Sequence, residues 1–185
     1  MILSILICTM PKREQMLKEL LGVLNNDIKQ NNLIGKVEIL TNDEMDITVG
    51  HKRNLLLKKA TGKFIVYIDD DDMVVEDYVT NIVNAIENNR NIDCIAINGT
   101  YSVDGGAKQK WFISKDYNKW YEERNIYYRT PNHISPVKRE IALLCGFPSM
   151  SFSEDYHYSM AILPHLKKEA TIEKPLYHYK FISEK

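Results

Sequence analysis

No run of apolar residues in this sequence is long enough to cross a bilayer, and no repeat or low-complexity tract interrupts it. The hydrophobic start, Met1 to Cys8, lacks a basic leader and a small-residue cleavage site, so it is expected to be a first strand rather than an export signal. Cysteine is scarce. Cys8, Cys94 and Cys145 lie in apolar contexts without C-x-x-C spacing, which excludes a disulfide scaffold or zinc ribbon and predicts reduced thiols and a cytoplasmic protein. Charge of one sign is not in surplus either: 24 Lys and Arg face 25 Asp and Glu. That excludes the global positive field of a nucleic-acid binder and leaves only a local patch for such a partner. With 44% hydrophobic residues in 185, the chain is expected to fold as one domain with a sizeable core.

What is present is concentrated in Phe64-Ile65-Val66-Tyr67-Ile68-Asp69-Asp70-Asp71-Asp72, an apolar, β-branched run that ends in four carboxylates. The run reads as a buried strand of a parallel sheet. In open α/β sheets, ligands bind outside the carboxyl ends of strands. Four acids there repel one another, and a hard divalent cation with a phosphate on its far side is the simplest neutraliser. A helix N-terminus accounts for Asp72 and Glu76 at most.

Around this run the pattern alternates. A strand over Ile2–Cys8 leads through Thr9-Met10-Pro11 into a helix with apolar Met16, Leu17, Leu20, Leu21 and Leu24, expected to fray in the Asn-rich stretch Asn25–Asn32. A strand at Lys36–Thr41 is followed by a helix from Val49 to Ala60, with Gly62 as a C-cap signal. After the acidic strand come a helix at Glu76–Asn89 and a strand at Cys94–Asn98. This predicts a parallel, doubly wound α/β sheet with right-handed crossovers. After Gly99 the rhythm changes. Asp104-Gly105-Gly106 signals a hairpin turn before a strand at Lys110–Ile113. Tyr117, Trp120, Tyr121, Tyr127 and Tyr128 then crowd together, and with the Asn132-His133 loop they suggest an acceptor groove or simply core filling. A helix is expected over Val137–Cys145, another from Ser153, and a strand over Pro175–Phe181.

Gly50-His51-Lys52-Arg53-Asn54, Ala60-Thr61-Gly62-Lys63 and Asp69–Asp72 give G-x-x-R-N, A-x-G-x, an apolar run and D-x-D-D in order. The arrangement resembles glycosyltransferase family 2, inverting enzymes of the GT-A fold. Ser153-Glu154-Asp155 resembles the family's ED motif, and Thr9 to Arg13 its nucleotide-contacting start. The resemblance implies a GT-A, Rossmann-like fold with a mostly parallel central sheet, flanking helices and a small antiparallel element on the acceptor side. It implies residues of about 1–99 as the nucleotide-sugar half and about 100–185 as the acceptor half.

The resemblance further implies that Asp71 binds Mn²⁺ or Mg²⁺, while Asp69 reaches the metal or the ribose. Asp70, at the variable position, lies on the donor side. Thr9, Arg13, Asp43 and Arg53 become contacts to base and ribose, with Asp43 as uracil reader and a UDP-sugar as donor. Asp155 becomes the general base, with Glu154 supporting it or touching the acceptor. His178 is expected either to complete the metal shell or to pack in an alternating strand. His157, at i+3 from Glu154, has no second E-x-x-H beside it, which argues against a di-metal site. The long C-terminal extension and the Q-x-x-R-W motif of processive synthases do not occur, so transfer of one sugar to a glycan, protein or other hydroxyl acceptor is expected. A phosphatase would carry its acid run on the first strand, and a calcium loop would need a Gly that does not follow here. The remaining alternative is a non-catalytic nucleotide-sugar-binding module on the same scaffold.

Overall fold

A computed structural model describes residues 1–181 of the chain. Its first half runs β1 (Leu3–Cys8), α1 (Glu14–Gln30), β2 (Val37–Asn42), α2 (Val49–Lys59), β3 (Phe64–Tyr67), β4 (Met73–Val74), α3 (Tyr78–Asn88) and β5 (Cys94–Val103). β1 pairs in parallel with β2 on one side and β3 on the other. Because strand side chains alternate, Leu3, Ile5, Ile7, Phe64 and Val66 pack on Leu20 and Leu24 of α1 and on Val79, Ile82 and Val83 of α3. Leu6, Ile65 and Tyr67 face the opposite way, onto Leu56 and Leu57 of α2. Helices therefore cover both faces, as the continuous apolar strands require.

The second half comprises β6 (Gln109–Ile113), β7 (Tyr121–Glu123), β8 (Ile126–Arg129), β9 (Val137–Lys138), α4 (Arg139–Cys145), α5 (Glu154–Ile162), β10 (Glu169–Thr171) and β11 (Tyr177–Phe181). The sheet order is β2-β1-β3-β9-β5-β6-β8-β7, with β10 and β11 both parallel to β5. The expected hairpin forms: β5 and β6 are antiparallel, and Asp104 and Gly105 take φ of 48° and 73° to turn between them. The core is a mixed α/β sheet with parallel strands at its centre, as the alternation predicts.

Three local expectations are corrected. Val137 and Lys138 do not open a helix; they form β9, antiparallel to both β3 and β5. They fill the gap between those strands and pair backbone groups that burial would otherwise orphan. Gly62 is not a C-cap, since α2 ends at Ala60. A Cβ on Gly62 would lie 2.5 Å from Ser4 N, so the glycine is needed for close approach of the chain to β1. Finally, α1 does not fray at Asn25. It continues to Gln30, and Asp27 is buried.

Asp27 has a definite task. Its Oδ2 accepts the N–H groups of Val79 at 2.7 Å and Thr80 at 3.1 Å, and its Oδ1 accepts Asn31 Nδ2–H at 2.8 Å. The preceding residue of α3, Asp77, makes no side-chain cap. Asp27 therefore caps α3 from a different helix, satisfying donors that a helix N-terminus leaves open. Asp27→Ala is expected to lower stability by about 1–3 kcal/mol, the cost of a lost cap and buried unpaired donors, as read by urea unfolding. Asp27→Asn should cost less, because it keeps one acceptor.

Candidate active site

The parallel strands β1 and β3 end side by side, with Ile68 N–H donating to Leu6 O at 3.1 Å. Their carboxyl edge delivers the acidic run. Each of its four carboxylates meets a different environment. Asp70 is 2% exposed and pairs with Arg13 Nη1 at 2.7 Å, while its Oδ2 is buried without a partner. Asp71 takes the other arm of Arg13, Nη2 at 2.8 Å. Burial raises the pKa of Asp71, helped by Asp69 and Asp70 and opposed by Arg13. Asp72 accepts Tyr177 Oη–H at 2.7 Å and Lys180 N–H at 2.9 Å. Burial first, then the Asp69 charge, push its pKa up to about 8 despite those bonds.

Asp69 is the junction. Arg53, 4% exposed, donates to Asp69 Oδ1 at 3.1 Å and to Glu154 Oε1 at 2.9 Å. The guanidinium lies over the rings of Tyr67 and Phe147, 5.8 and 5.4 Å from their centroids. On the other side His133 donates Nε2–H to Asp69 Oδ2 at 3.2 Å. Burial opposes ionisation of Asp69, but His133 and Arg53 outweigh it and hold its pKa below the ordinary carboxylate range. With Nε2 protonated, His133 turns its buried, unpartnered Nδ1 toward Asp155, 3.9 Å from Oδ2. Asp69, His133, Glu154 and Asp155 all line one cavity of about 430 Å³.

α5 brings Glu154 and Asp155 to this cavity. Its N-cap, Ser153, has φ of 62°, a left-handed conformation uncommon for a residue with a side chain, and this turn sets both acids in the first helical turn. The second wall is aromatic: Tyr101, Trp111, Tyr127 and Tyr179 line it, with Arg129. Gly99 of β5 makes this wall possible, because a Cβ there would lie 2.1 Å from Tyr177 O and 2.4 Å from Trp111 Cζ2.

Among the residues singled out in the sequence, Arg13, Arg53, Asp69, Asp70, Asp71, Glu154 and Asp155 form a linked set of ion pairs and cavity walls. Thr9 is buried beside them: its carbonyl accepts Lys52 Nζ–H at 2.9 Å, and its hydroxyl has no partner. Asp43 is exposed just beyond β2, on the same edge but outside the cavity lining. His178 is not brought into the set. Strand alternation sends it to the face opposite Tyr177 and Tyr179, where Thr100 Oγ1 and Ser102 Oγ hold its two ring nitrogens at 2.7 and 3.2 Å. Its expected place in a metal shell is therefore corrected to a packing role. Of the aromatic cluster, Tyr127 faces the cavity, whereas Tyr128 stacks on Tyr121 at 4.8 Å and on Phe112 at 5.9 Å on the opposite face.

Sequence reasoning placed His133 in a loop but did not see it bonding to Asp69 and facing Asp155; nothing in its neighbours marks it. It also missed Lys52, whose buried amine holds the Thr9 carbonyl, and Tyr177, whose hydroxyl ties Asp72 to the backbone N–H of Asp69 at 3.3 Å.

The site is open to a divalent ion of the expected kind. No three His, Cys, Asp or Glu side chains cluster as a metal cage among the described residues. Mg²⁺ and ions like it are commonly held by one or two carboxylates plus substrate phosphates, so a cage is not required. Asp71 offers hard oxygen ligands and keeps 28% of its side chain exposed, which fits.

Arg53→Ala would leave buried Glu154 and half-buried Asp69 without their cation. It should lower stability by about 3–5 kcal/mol in urea or thermal unfolding, with Arg53→Lys intermediate.

Among solved structures, S. aureus TarS 1–349 in complex with UDP-GlcNAc aligns with a TM-score of 0.72 at 15% identity, covering 100% of this chain and 60% of that one. The mannosyltransferase PcManGT from Pyrobaculum calidifontis, with GDP-Man and Mn²⁺, gives 0.56 at 13% identity, covering 95% of this chain and 56% of that one. GalNAc-T7 with UDP, GalNAc and Mn²⁺ gives 0.58 at 14%, covering 99% of this chain and 44% of that one. This chain thus spans about half of such structures' own length, and the likeness shows a shared GT-A fold. A search of curated proteins finds no match. The family model of glycosyl transferase family 2 matches residues 8–155, most of the chain, and this protein therefore belongs to that family.

Proposed function

We propose that this enzyme transfers one sugar from a UDP-sugar to an acceptor hydroxyl with inversion, using a divalent ion at the acidic tip and Asp155 as general base. The observation that carries the reading is the cavity with Asp69 on one wall and Asp155 on another, with His133 between them at 3.2 and 3.9 Å. The first half of the chain supplies the donor side and the second half the acceptor side, and both are treated as one catalytic unit.

Charge supports the metal. Asp69, Asp70, Asp71 and Glu154 share only two guanidinium groups, Arg13 and Arg53, and Asp155 adds a further carboxylate to the cavity, which leaves negative charge in excess. A divalent ion held by Asp71, with Asp69 beside it, would match that excess and stabilise the diphosphate as it departs. Arg13, already at the tip, is placed to release Asp71 and bind phosphate oxygens. Arg53 keeps Asp69 ionised and fixes Glu154, so the first turn of α5 holds Asp155 steady.

Asp155 accepts the proton of the acceptor hydroxyl. The acceptor oxygen forms its bond to the anomeric carbon as the bond from that carbon to the β-phosphate oxygen breaks, and nucleoside diphosphate leaves. A single displacement of this kind needs one base carboxylate, where an inverting hydrolase needs an acid–base pair. His133, donating to Asp69, leaves its Nδ1 as an acceptor for a hydroxyl or water beside Asp155. Exposed Asp43, on the edge where β1 and β2 end, is assigned to the uracil.

Two measurements test this. Calorimetric titration should show UDP binding more tightly than GDP, with Mn²⁺ strengthening it; Asp71→Asn should remove the Mn²⁺ effect, and a preference for GDP would refute the donor assignment. Asp155→Asn should keep UDP binding while donor turnover, read as UDP released from UDP-sugars, falls by about 10²–10⁴-fold. Full turnover in that variant would remove Asp155 from its role.

A further inference from the structure

The cavity contains a cation that the chemistry above leaves unused. Arg129, the last residue of β8, lines it. Arg13 and Arg53 each hold two carboxylates. Arg129 makes no side-chain hydrogen bond and no ion pair among the described residues. Its guanidinium instead lies 4.4 Å from the Trp120 ring centroid and 5.9 Å from that of Tyr127. A cation–π contact of this kind leaves the guanidinium's N–H groups unspent. A half-buried guanidinium without a hydrogen-bond partner suits one class of ligand, a bidentate oxyanion.

The shelf beneath Arg129 is anchored to the helix of Asp155. Trp120 donates Nε1–H to Thr130 Oγ1 at 2.8 Å, and that hydroxyl bonds to Ser159 of α5. The Trp120 ring also meets Tyr156, the neighbour of Asp155, edge-on at 5.3 Å. Arg129 is therefore tied to the helix that carries Asp155, whereas Arg13 and Asp71 lie outside the cavity lining. An anion on Arg129 is carried by the acceptor, since the donor diphosphate is engaged at the acidic tip.

Resting on the glycosyl-transfer reading of this cavity, we propose that Arg129 is a specificity-determining residue that binds a phosphate or carboxylate on the acceptor, close to the hydroxyl that Asp155 deprotonates. The acceptor is then an acidic or phosphorylated carbohydrate. Tyr127 and Tyr179 supply aromatic faces for its ring.

Three probes test the assignment by calorimetric titration, each with and without UDP and Mn²⁺: methyl glucoside, methyl glucuronide and glucose phosphate. The expected result is that an anionic probe binds about tenfold or more tightly than the neutral glucoside, as charge-assisted bidentate bonding predicts. Preference for glucose phosphate assigns a phosphate, and preference for the glucuronide a carboxylate. Arg129→Gln should abolish the preference while UDP affinity stays unchanged, which also shows that the variant is folded. Arg129→Lys, which keeps charge without the planar fork, should retain part of it. Equal binding of the three probes overturns the proposal, as does a preference that survives in Arg129→Gln. A drop in UDP affinity in that variant moves Arg129 to the donor and overturns it too. A wild-type protein that binds no UDP but shows the Arg129-dependent preference sinks the donor reading alone.

Discussion

Mutual repulsion among carboxylates crowded at the end of one buried strand is the constraint around which this site is built. The sheet forces the crowding: β3 is covered on both faces, so Asp69 to Asp72 emerge together at its edge. Three different physical devices settle it. Arg13 straddles Asp70 and Asp71, Arg53 ties Asp69 to Glu154 on a distant helix, and Tyr177 with the Lys180 amide receives Asp72, largely as the neutral acid. The reading of a divalent cation as the simplest neutraliser of the run therefore left out the cations and hydrogen bonds that the protein itself supplies. The protein carries much of the neutralisation itself and leaves a residual excess at the exposed end, the place proposed for a diphosphate-bound ion.

The same arrangement joins donor chemistry to acceptor chemistry. Arg53 reaches from α2 to the N-terminus of α5, so one buried guanidinium fixes both the acid that ends β3 and the turn that carries Asp155. His133 spans the same two partners through its ring. The orientation of Asp155 thus depends on the buried ion pair between Arg53 and Glu154, and the aromatic shelf behind it is pinned to the same helix through Thr130 and Ser159.

Much of this was legible in the sequence. The order and type of the first-half elements other than the two-residue β4 followed from periodicity, because β1, β3, α1 and α3 are long or strongly patterned and tertiary packing had nothing to override. The acidic run and the Glu154-Asp155 pair announced themselves by composition. What could not be read were features that depend on a remote partner. β9 is two residues long and becomes a strand only because β3 and β5 leave backbone groups unpaired between them. Gly62 mimics a C-cap in sequence and proves to be a clearance for Ser4. Asp27 looks like a polar interruption of a helix until α3 is laid against it. His178 misled for the same reason: strand alternation fixes that it opposes Tyr177, but which face meets the acids is set by β4 and β5. Arg129 was invisible because a cation matters through the partners it lacks.

The placement of β9 also bears on how the molecule is divided. It is drawn from the later half of the chain, yet it lies between two strands of the earlier half, while β5 continues unbroken from the core into the cavity wall. The two halves that the chemistry separates are consequently interleaved as a folded object. A cut near residue 99 would strip β3 of a neighbour and sever β5 in mid-strand, so neither fragment would inherit an intact sheet. Exchange of acceptor modules between relatives by simple truncation and fusion is closed to this architecture, and new acceptor preferences must arise by substitution within the wall itself.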